Sequence, residues 1–136
     1  MMKKITLPAI VENIETVTDF VNAYLDKAGC SMKVQMQITV VIDEIFSNIA
    51  HYAYVPSVGD VTVRVEVNKE TGVLMLSFED RGVAYNPLVK KDPDVTLSAE
   101  ERQIGGMGIF IVKKLMDDIT YEYVEGCNVL TMWKKL

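Results

Sequence analysis

The sequence predicts an α+β fold, a two-layer α/β sandwich in which helices cover one face of a mostly antiparallel, mixed sheet. Three observations support this prediction. Two helical patterns occupy the first 54 residues, two strands joined by a tight turn follow, and a shorter helix precedes two closing strands. Helices that gather on one side of an antiparallel sheet form two layers around one core.

The first two elements are a strand and a helix. Residues 3–10 are typical of a short edge strand, because Pro8 near its end has no amide hydrogen for a central ladder. Residues 12–28 have apolar side chains at helical spacing and so form one apolar face. These side chains are Ile14, Val17, Val21 and Leu25. Gly29 then ends the helix.

A longer second helix is predicted from about Lys33 to Tyr54. Ser31 is its N-cap, and the helix ends before Pro56. Its sequence, VQMQITVVIDEIFSNIA, is apolar around most of its circumference, so we expect it to be buried on more than one side.

Strict alternation marks residues 60–68 (DVTVRVEVN) as a half-buried strand, and VLMLSFED is its hairpin partner after the turn KETG. Residues 81–104 are polar and have no period, which is typical of a functional or mobile loop. A third helix at about 107–117 and the strands ITYEYV and NVLTMWKKL, joined by the turn EGCN, complete the chain.

Composition narrows the class of protein. The 136 residues, 49% of them apolar, fit one domain spanning 1–136. No apolar run approaches the ~18 residues that cross a bilayer, and the N-terminus has no signal-peptide core, so a cytoplasmic location is expected. The net charge of −5 disfavours nucleic acid as the main partner but not a nucleotide.

Cys30 and Cys127 form no CxxC pair and are interpreted as inert thiols.

Glu44 and Asn48 lie four residues apart and share one face of the second helix. A carboxylate and an amide are costly in so apolar a helix unless both are satisfied. The structural interpretation is an interhelical hydrogen bond or a cap. The functional one is a carboxylate base beside an amide oxygen that binds Mg²⁺, a cation that takes oxygen ligands and keeps several waters. On this helix alone the structural interpretation is favoured.

The segment FEDRGVAYNP ends a strand with Asp80 and continues to Gly82 and Tyr85. These residue types are common in turns. The alternative is a binding role, in which Asp80 accepts a hydrogen bond from the exocyclic amine of adenine and Gly82 lets a flat ring approach the backbone. The segment by itself leaves both interpretations open.

Glycines precede the third helix at Gly105, Gly106 and Gly108. Such glycines let backbone N–H groups converge on an anion at a helix N-terminus, although a flexible hinge is the simpler interpretation. The run is not a GxxxxGK[ST] loop, and it lacks the preceding strand of a dinucleotide fold. His51, the single histidine, is interpreted as a packing residue.

The order of these features resembles the GHKL ATPase superfamily, whose ATP site lies in a Bergerat-type α/β sandwich. The form of each box is most similar to the anti-sigma factor serine/threonine kinases. The matching boxes are DEIFSNIAHYAY, EDRGVAYNP and GGMGIFIVKKLMDDITYE. The resemblance covers essentially the whole chain, and three boxes in this order are more specific than any one of them.

The resemblance implies a role for each matching position. Glu44 is the general base, Asn48 binds Mg²⁺, and Asp80 contacts the adenine amine. Residues 86–104 form the ATP lid, in which Lys90, Lys91 and Arg102 are undecided candidates for a phosphate contact. The other positions assigned to the ATP site are Gly82, Tyr85, Gly105, Gly106, Met107 and Gly108.

The implied reaction transfers the γ-phosphoryl group of ATP to a serine or threonine of a STAS-domain antagonist protein. A sigma factor is a further expected partner and a homodimer is possible, whereas no contact with nucleic acid or membrane is expected. Cys127 stands where family members often carry a threonine after a glycine.

Two other functions stay open. One is an ATP-binding regulatory module without useful catalysis. The other, less favoured, is the ATPase half of a sensor kinase, since only about 30 residues precede the second helix, too few for a phosphoacceptor hairpin at ~1.5 Å of rise per residue.

Overall fold

Five strands and three α-helices make up the part of the chain that the computed structural model describes, residues 1–54, 56–89 and 106–136. In chain order they are β1 (Lys3–Pro8), α1 (Ile14–Lys27), α2 (Met32–Asn48), β2 (Asp60–Asn68), β3 (Val73–Asp80), α3 (Gly106–Leu115), β4 (Asp118–Val124) and β5 (Cys127–Lys135). A π-helical segment, Ile49–Ala53, follows α2 directly. Over those same residues, no helix has the length and apolar character needed to cross a membrane.

The strands form one sheet in the order β1-β2-β3-β5-β4. All four pairings between the described strands are antiparallel, so the expected mostly antiparallel sheet is confirmed and the mixed character is not seen. The last strand, β5, lies between β3 and β4, and its register places Asn128 opposite Asp80. This non-sequential pairing brings the start of β5 to the end of β3.

Two hairpin turns set the strand register. In the first, Asn68 Oδ1 accepts hydrogen bonds from the backbone N–H groups of Glu70 and Thr71, at 3.0 and 3.2 Å. In the second, Glu125 and Gly126 have φ angles of 52° and 79°. Positive φ at both central residues is what a two-residue type I′ hairpin requires. The turn predicted at EGCN is therefore confirmed.

The hydrophobic core lies between the helices and one face of the sheet. The apolar face predicted for α1 is confirmed, since Val17, Val21 and Leu25 are fully buried. The alternation predicted for β2 is confirmed too, because its valines belong to the same buried cluster. The central helix, α2, packs against both α1 and α3 and is buried on more than one side, as expected. Its buried positions are Gln35, Ile38, Val41, Ile42, Ile45 and Phe46.

The start of α2 agrees with the prediction and its end differs. Ser31 Oγ accepts the N–H of Val34 at 3.2 Å, so Ser31 is the N-cap. The α-helix stops at Asn48 and continues as a π-helical segment instead of reaching Tyr54. Tertiary hydrogen bonds accompany this change: the N–H of Val83 donates to the Ala53 carbonyl at 3.0 Å. Single π-turns of this kind are frequent at functional sites.

Tyr54 attaches the end of this helical segment to the sheet. Its hydroxyl donates to the carbonyl of Asp60 at 2.6 Å and accepts the N–H of Arg81 at 2.6 Å. Because Asp60 begins β2 and Arg81 follows β3, one side chain joins two strand ends to the helix. Burial of Tyr54 raises its pKa, so the hydroxyl keeps the proton that it donates. The C-terminal end of α2 is therefore fixed over the start of β2 and the end of β3.

Candidate functional site

A cavity of about 520 Å³ lies between the end of α2, the end of β3, the start of β5 and the segment after β3. This volume is in the range of small-molecule sites, ~300–1,000 Å³. Its walls are largely apolar, and the apolar side chains include Ile45, Ile49, Phe78, Ile109 and Leu130. Its polar lining consists of Asn48, Asp80 and Asn128 and of three tyrosines, Tyr52, Tyr85 and Tyr121. An apolar cavity with a few fixed polar groups suits a flat ligand with specific hydrogen-bonding edges.

Asp80 is a buried carboxylate with one oxygen already occupied. Its side chain is 6% exposed. Oδ1 accepts the N–H of Gly82 at 2.9 Å and the Nδ2 group of Asn128 at 3.0 Å. Of the hydrogen bonds made within residues 1–54, 56–89 and 106–136, none is to Oδ2 of Asp80. Oδ2 is therefore the acceptor that Asp80 offers to a donor in the cavity.

Asn128 holds Asp80 and the following segment together. Its Oδ1 accepts the N–H of Tyr85 at 3.0 Å and the hydroxyl of Tyr121, while its Nδ2 donates to Asp80 and to the carbonyl of Val83. Because donors contact one end of the carboxamide and acceptors contact the other, its orientation is determined. Asn128 is 7% exposed, so these bonds are shielded from water.

Asn128 was not predicted from the sequence, where the neighbouring Cys127 was noted instead. Cys127 is buried, its Sγ lies 3.9 Å from the Glu125 carbonyl, and it does not line the cavity. The alternation of β5 contained a signal for Asn128, because it shares the phase of the buried residues Leu130 and Met132. The prediction of free thiols is confirmed for both cysteines, and burial raises the pKa of Cys30, which disfavours its reactive thiolate.

Glu44 and Asn48 lie on one side of α2 but have different surroundings. Asn48 lines the cavity, whereas Glu44, one turn earlier, does not. Glu44 lies instead against the first turn of α3: a Cβ added to Gly108 would come within 2.5 Å of its Oε2. Burial raises the pKa of Glu44, and the nearby charge of Asp43 raises it further. Glu44 is thus a half-buried carboxyl group with a stronger affinity for a proton than an ordinary glutamate.

Gly82 has a packing role that differs from the expected one. A Cβ there would lie 2.3 Å from the carbonyl oxygen of Ala53. The space beside Gly82 is therefore filled by the π-helical segment, and Gly82 does not line the cavity. Position 82 therefore needs a glycine to make room for the backbone that follows α2, and its expected contact with a flat ring stays a prediction.

The remaining predicted positions are placed as follows. Tyr85 lines the cavity and is 42% exposed. Gly106 and Met107 belong to the first turn of α3. His51 is exposed, and its ring meets that of Tyr52 edge to face, with 6.1 Å between centroids. Four predicted positions lie outside the described residues, namely Lys90, Lys91, Arg102 and Gly105.

Comparison with known proteins identifies the family. Residues 7–134 match the model of the histidine kinase-like ATPase domain. The chain belongs to this family. The match confirms the family recognised from the three boxes, and membership of an ATPase domain family implies ATP use.

Two of the proteins that this chain resembles are named as protein kinases. Serine-protein kinase RsbW of Listeria monocytogenes is 28% identical, over 96% of this chain and 86% of its own length. Serine/threonine-protein kinase BtrW of Bordetella bronchiseptica is 26% identical, over 75% of this chain and 71% of its own length. These names agree with the kinase type that the sequence analysis recognised.

The fold also matches a solved structure, that of the RsbU and RsbW domains of a Mycobacterium tuberculosis protein. The TM-score is 0.71 at 19% identity over the whole of this chain. This chain spans 32% of that longer one. The similarity confirms the predicted α+β sandwich.

Substitutions of Gly82 and Gly108 by alanine should have different effects, the first on stability and the second on the position of the Glu44 carboxylate. Gly82→Ala sets a Cβ against the Ala53 backbone, which cannot move cheaply, so we expect a loss of roughly 2 kcal/mol or more in unfolding free energy. Gly108→Ala meets only the end of the flexible Glu44 side chain, and alanine favours the helix by up to ~1 kcal/mol. We therefore expect Gly108→Ala to keep its stability while displacing the Glu44 carboxylate.

Urea unfolding of both variants measures the stability difference, and the pKa of Glu44 by carboxyl NMR reports the displacement. Equal stability losses in the two variants would contradict the packing assigned to Gly82.

Asn128→Ala should weaken both folding and nucleotide binding. The substitution removes the acceptor of the Tyr85 N–H and the donor to the Val83 carbonyl, and it takes from the buried Asp80 carboxylate a charged hydrogen bond worth ~1.5–3 kcal/mol. Cys127→Ala is the matched control, because it truncates the neighbouring buried side chain without touching the cavity. Calorimetric ATP titration and thermal unfolding give the comparison; an Asn128→Ala protein that binds ATP as Cys127→Ala does would rule out the role given to Asn128.

Proposed function

We propose that this chain is an ATP-dependent protein serine/threonine kinase of the anti-sigma factor type, acting on a STAS-domain protein. One observation carries the proposal: a single cavity joins Asn48 on α2 to Asp80 at the end of β3, with Glu44 one helical turn from Asn48. The same groups are the ones that the resemblance assigns to ATP.

The side of the cavity at Asp80 suits adenine. Oδ2 of Asp80 accepts a hydrogen bond from an exocyclic amine, while Phe78 and Leu130 provide apolar contacts for the ring. A base with a carbonyl at that position would set two acceptors against each other. Asp80 therefore selects for an amine by its charge and by its fixed orientation.

The α2 side of the cavity suits phosphate and Mg²⁺. Among the described residues, no group of three or more His, Cys, Asp or Glu side chains is placed to hold a metal ion. Asn48 would supply one amide oxygen, and phosphate oxygens and waters would complete the shell, because Mg²⁺ takes oxygen ligands and usually keeps several of its waters. An ion held there would supply positive charge to the phosphate oxygens during phosphoryl transfer. The first turn of α3, from Gly106, offers backbone N–H groups to phosphate.

Glu44 is the proposed general base. It takes the proton of the attacking serine or threonine hydroxyl as that oxygen bonds to the γ-phosphorus and the bond to the ADP leaving group breaks. Its raised pKa makes it a better proton acceptor than an ordinary glutamate. Its position against Gly108 places it beside the start of α3, where phosphate would lie.

A second candidate is an ATP-binding regulatory module without useful catalysis. The observation that favours it is the position of Glu44, which lies outside the set of residues that line the cavity. In that case the chain would act on its partner through nucleotide-dependent binding alone.

Substitutions at Asp80 and Glu44 separate binding from transfer. Asp80→Asn replaces an acceptor oxygen with a donor, so we expect ATP affinity to fall at least tenfold, by ~1.5–3 kcal/mol for a charged hydrogen bond. Glu44→Gln keeps the shape but removes the base, so we expect ATP binding within about threefold of wild type and transfer slowed roughly 10²–10⁴-fold.

Calorimetric titration with Mg-ATP and phosphoserine or phosphothreonine detection on STAS proteins measure the two effects. ATP binding without any transfer in wild type would favour the regulatory module, and absence of ATP binding would reject both functions.

The pH dependence of transfer should report the pKa of Glu44. Only the carboxylate form accepts a proton, so the rate should fall as the pH drops through the pKa of Glu44, which burial places above the usual glutamate range. Asp43→Asn removes the second cause of the shift and should move this acidic limb to lower pH. Single-turnover rates for the two proteins test this; an acidic limb that Asp43→Asn leaves in place or moves upward argues against Glu44 as the base.

A further inference from the structure

Three apolar side chains form an exposed row on α2. Met32, Met36 and Val40 are spaced four residues apart, and their exposed fractions are 68%, 65% and 41%. Residues at this spacing lie above one another on a helix, so the row extends about 12 Å along α2 at ~1.5 Å of rise per residue. Single exposed apolar residues are ordinary, but a continuous row is typical of a docking surface. Methionine is common on such surfaces because its flexible side chain adapts to different partners. Met32, Met36 and Val40 together are the methionine row.

Acidic side chains on α1 border the methionine row. The Nδ2 group of Asn22 donates to Oγ1 of Thr39 at 3.3 Å, which marks the line where α1 meets α2. Successive residues of an α-helix are rotated by about 100° around its axis. The α1 positions that this rotation places next to Asn22 on the solvent side carry carboxylates. These positions are Glu15, Asp19 and Asp26, and all three are exposed. They form the acidic border.

We propose that the methionine row and the acidic border form a docking surface for a basic amphipathic helix of a partner protein. An amphipathic helix presents apolar anchors at i, i+4 and i+8, which match the spacing of the row. Lysine or arginine along one edge of that helix would face the three carboxylates and would speed association and fix orientation.

Charge decides among the possible occupants. A second copy of this surface would bring two acidic borders together, which costs free energy. An anionic membrane or a nucleic acid would be repelled by the same border and by the net charge of −5. A basic protein helix is the occupant that satisfies both the apolar row and the acidic border.

The surface is separate from the ATP cavity, so the inference goes beyond the proposed kinase function. The α2 residues that line the cavity begin at Ile45, and the methionine row ends at Val40. Variants in the row are therefore expected to bind ATP normally. Failure of ATP binding in the wild-type protein would reject the proposed function but would not affect the docking surface.

The test uses the full chain labelled with ¹³C at the methionine methyl groups. The probe is a synthetic peptide helix of about 18 residues with leucine on one face and lysine on the other, and a peptide of the same composition in scrambled order is its control. We expect the largest NMR shifts at Met32 and Met36, and no shift at the buried Met132. We expect the scrambled peptide to bind at least tenfold more weakly.

Substitutions identify the surface. Met36→Asn should weaken the peptide at least tenfold through the apolar row, and the double variant Glu15→Lys with Asp19→Lys should do so through the acidic border. Val124→Asn is the matched control, because Val124 is an apolar residue 46% exposed on β4. Circular dichroism and ATP titration check that each variant is folded.

The proposal is overturned by any of four results. These are equal binding of the scrambled peptide, shifts confined to other methionines, binding that the charge reversal leaves unchanged, and no binding at millimolar peptide. Sedimentation that shows a dimer broken by Met36→Asn would assign the row to a second copy instead. Binding to phosphatidylglycerol vesicles that Met36→Asn abolishes would assign it to a membrane.

Discussion

A buried carboxylate is costly unless hydrogen-bond donors of the protein replace the water that it loses. Asp80 is such a carboxylate, and the site depends on the donors that it has. Gly82 and Asn128 donate to its Oδ1, and they come from the segment after β3 and from β5. The pair exists because β5 inserts between β3 and β4, with Asn128 directly opposite Asp80. Oδ1 of Asp80 is therefore bonded within the protein, and Oδ2 is left to accept a hydrogen bond from a ligand. The order of the strands in the sheet thus determines that this end of the cavity prefers a hydrogen-bond donor.

The end of α2 depends on the same region. The π-helical segment packs its backbone against Gly82, and Tyr54 ties it to Asp60 and Arg81. These contacts hold Asn48 over the ends of the strands, so that it faces the cavity that Asp80 also lines. The cavity therefore results from two attachments, one between strands and one between helix and sheet. Asp80 and Asn128 are held by hydrogen bonds within the protein, which lowers the entropic cost of binding a ligand.

Local patterns in the sequence predicted most of the fold. The apolar face of α1, the alternation of β2, the Ser31 cap and the turn at Glu125–Gly126 each depend on neighbouring residues, and all agree with the structure. The order of the three boxes predicted the family. Asn48, Asp80 and Tyr85 lie together at the cavity as the resemblance implied, although their roles stay predictions.

What the sequence did not predict depends on contacts between distant segments. Asn128 becomes a partner of Asp80 only through the pairing of β3 with β5, which no local pattern encodes. Gly82 is required by the π-helical segment, whose geometry departs from the regular helix that periodicity assumes. Glu44 shares a face with Asn48, yet the approach of α3 gives it different surroundings. In each case tertiary packing set the outcome.

The most direct test is a calorimetric comparison of ATP with inosine triphosphate, which carries a carbonyl oxygen in place of the amine. If Oδ2 of Asp80 accepts a hydrogen bond from the amine, the inosine nucleotide should bind at least tenfold more weakly. The loss of a charged hydrogen bond costs ~1.5–3 kcal/mol, and ~1.4 kcal/mol corresponds to a tenfold change in the dissociation constant. Equal affinity for the two nucleotides would contradict the assignment of Asp80 to the base.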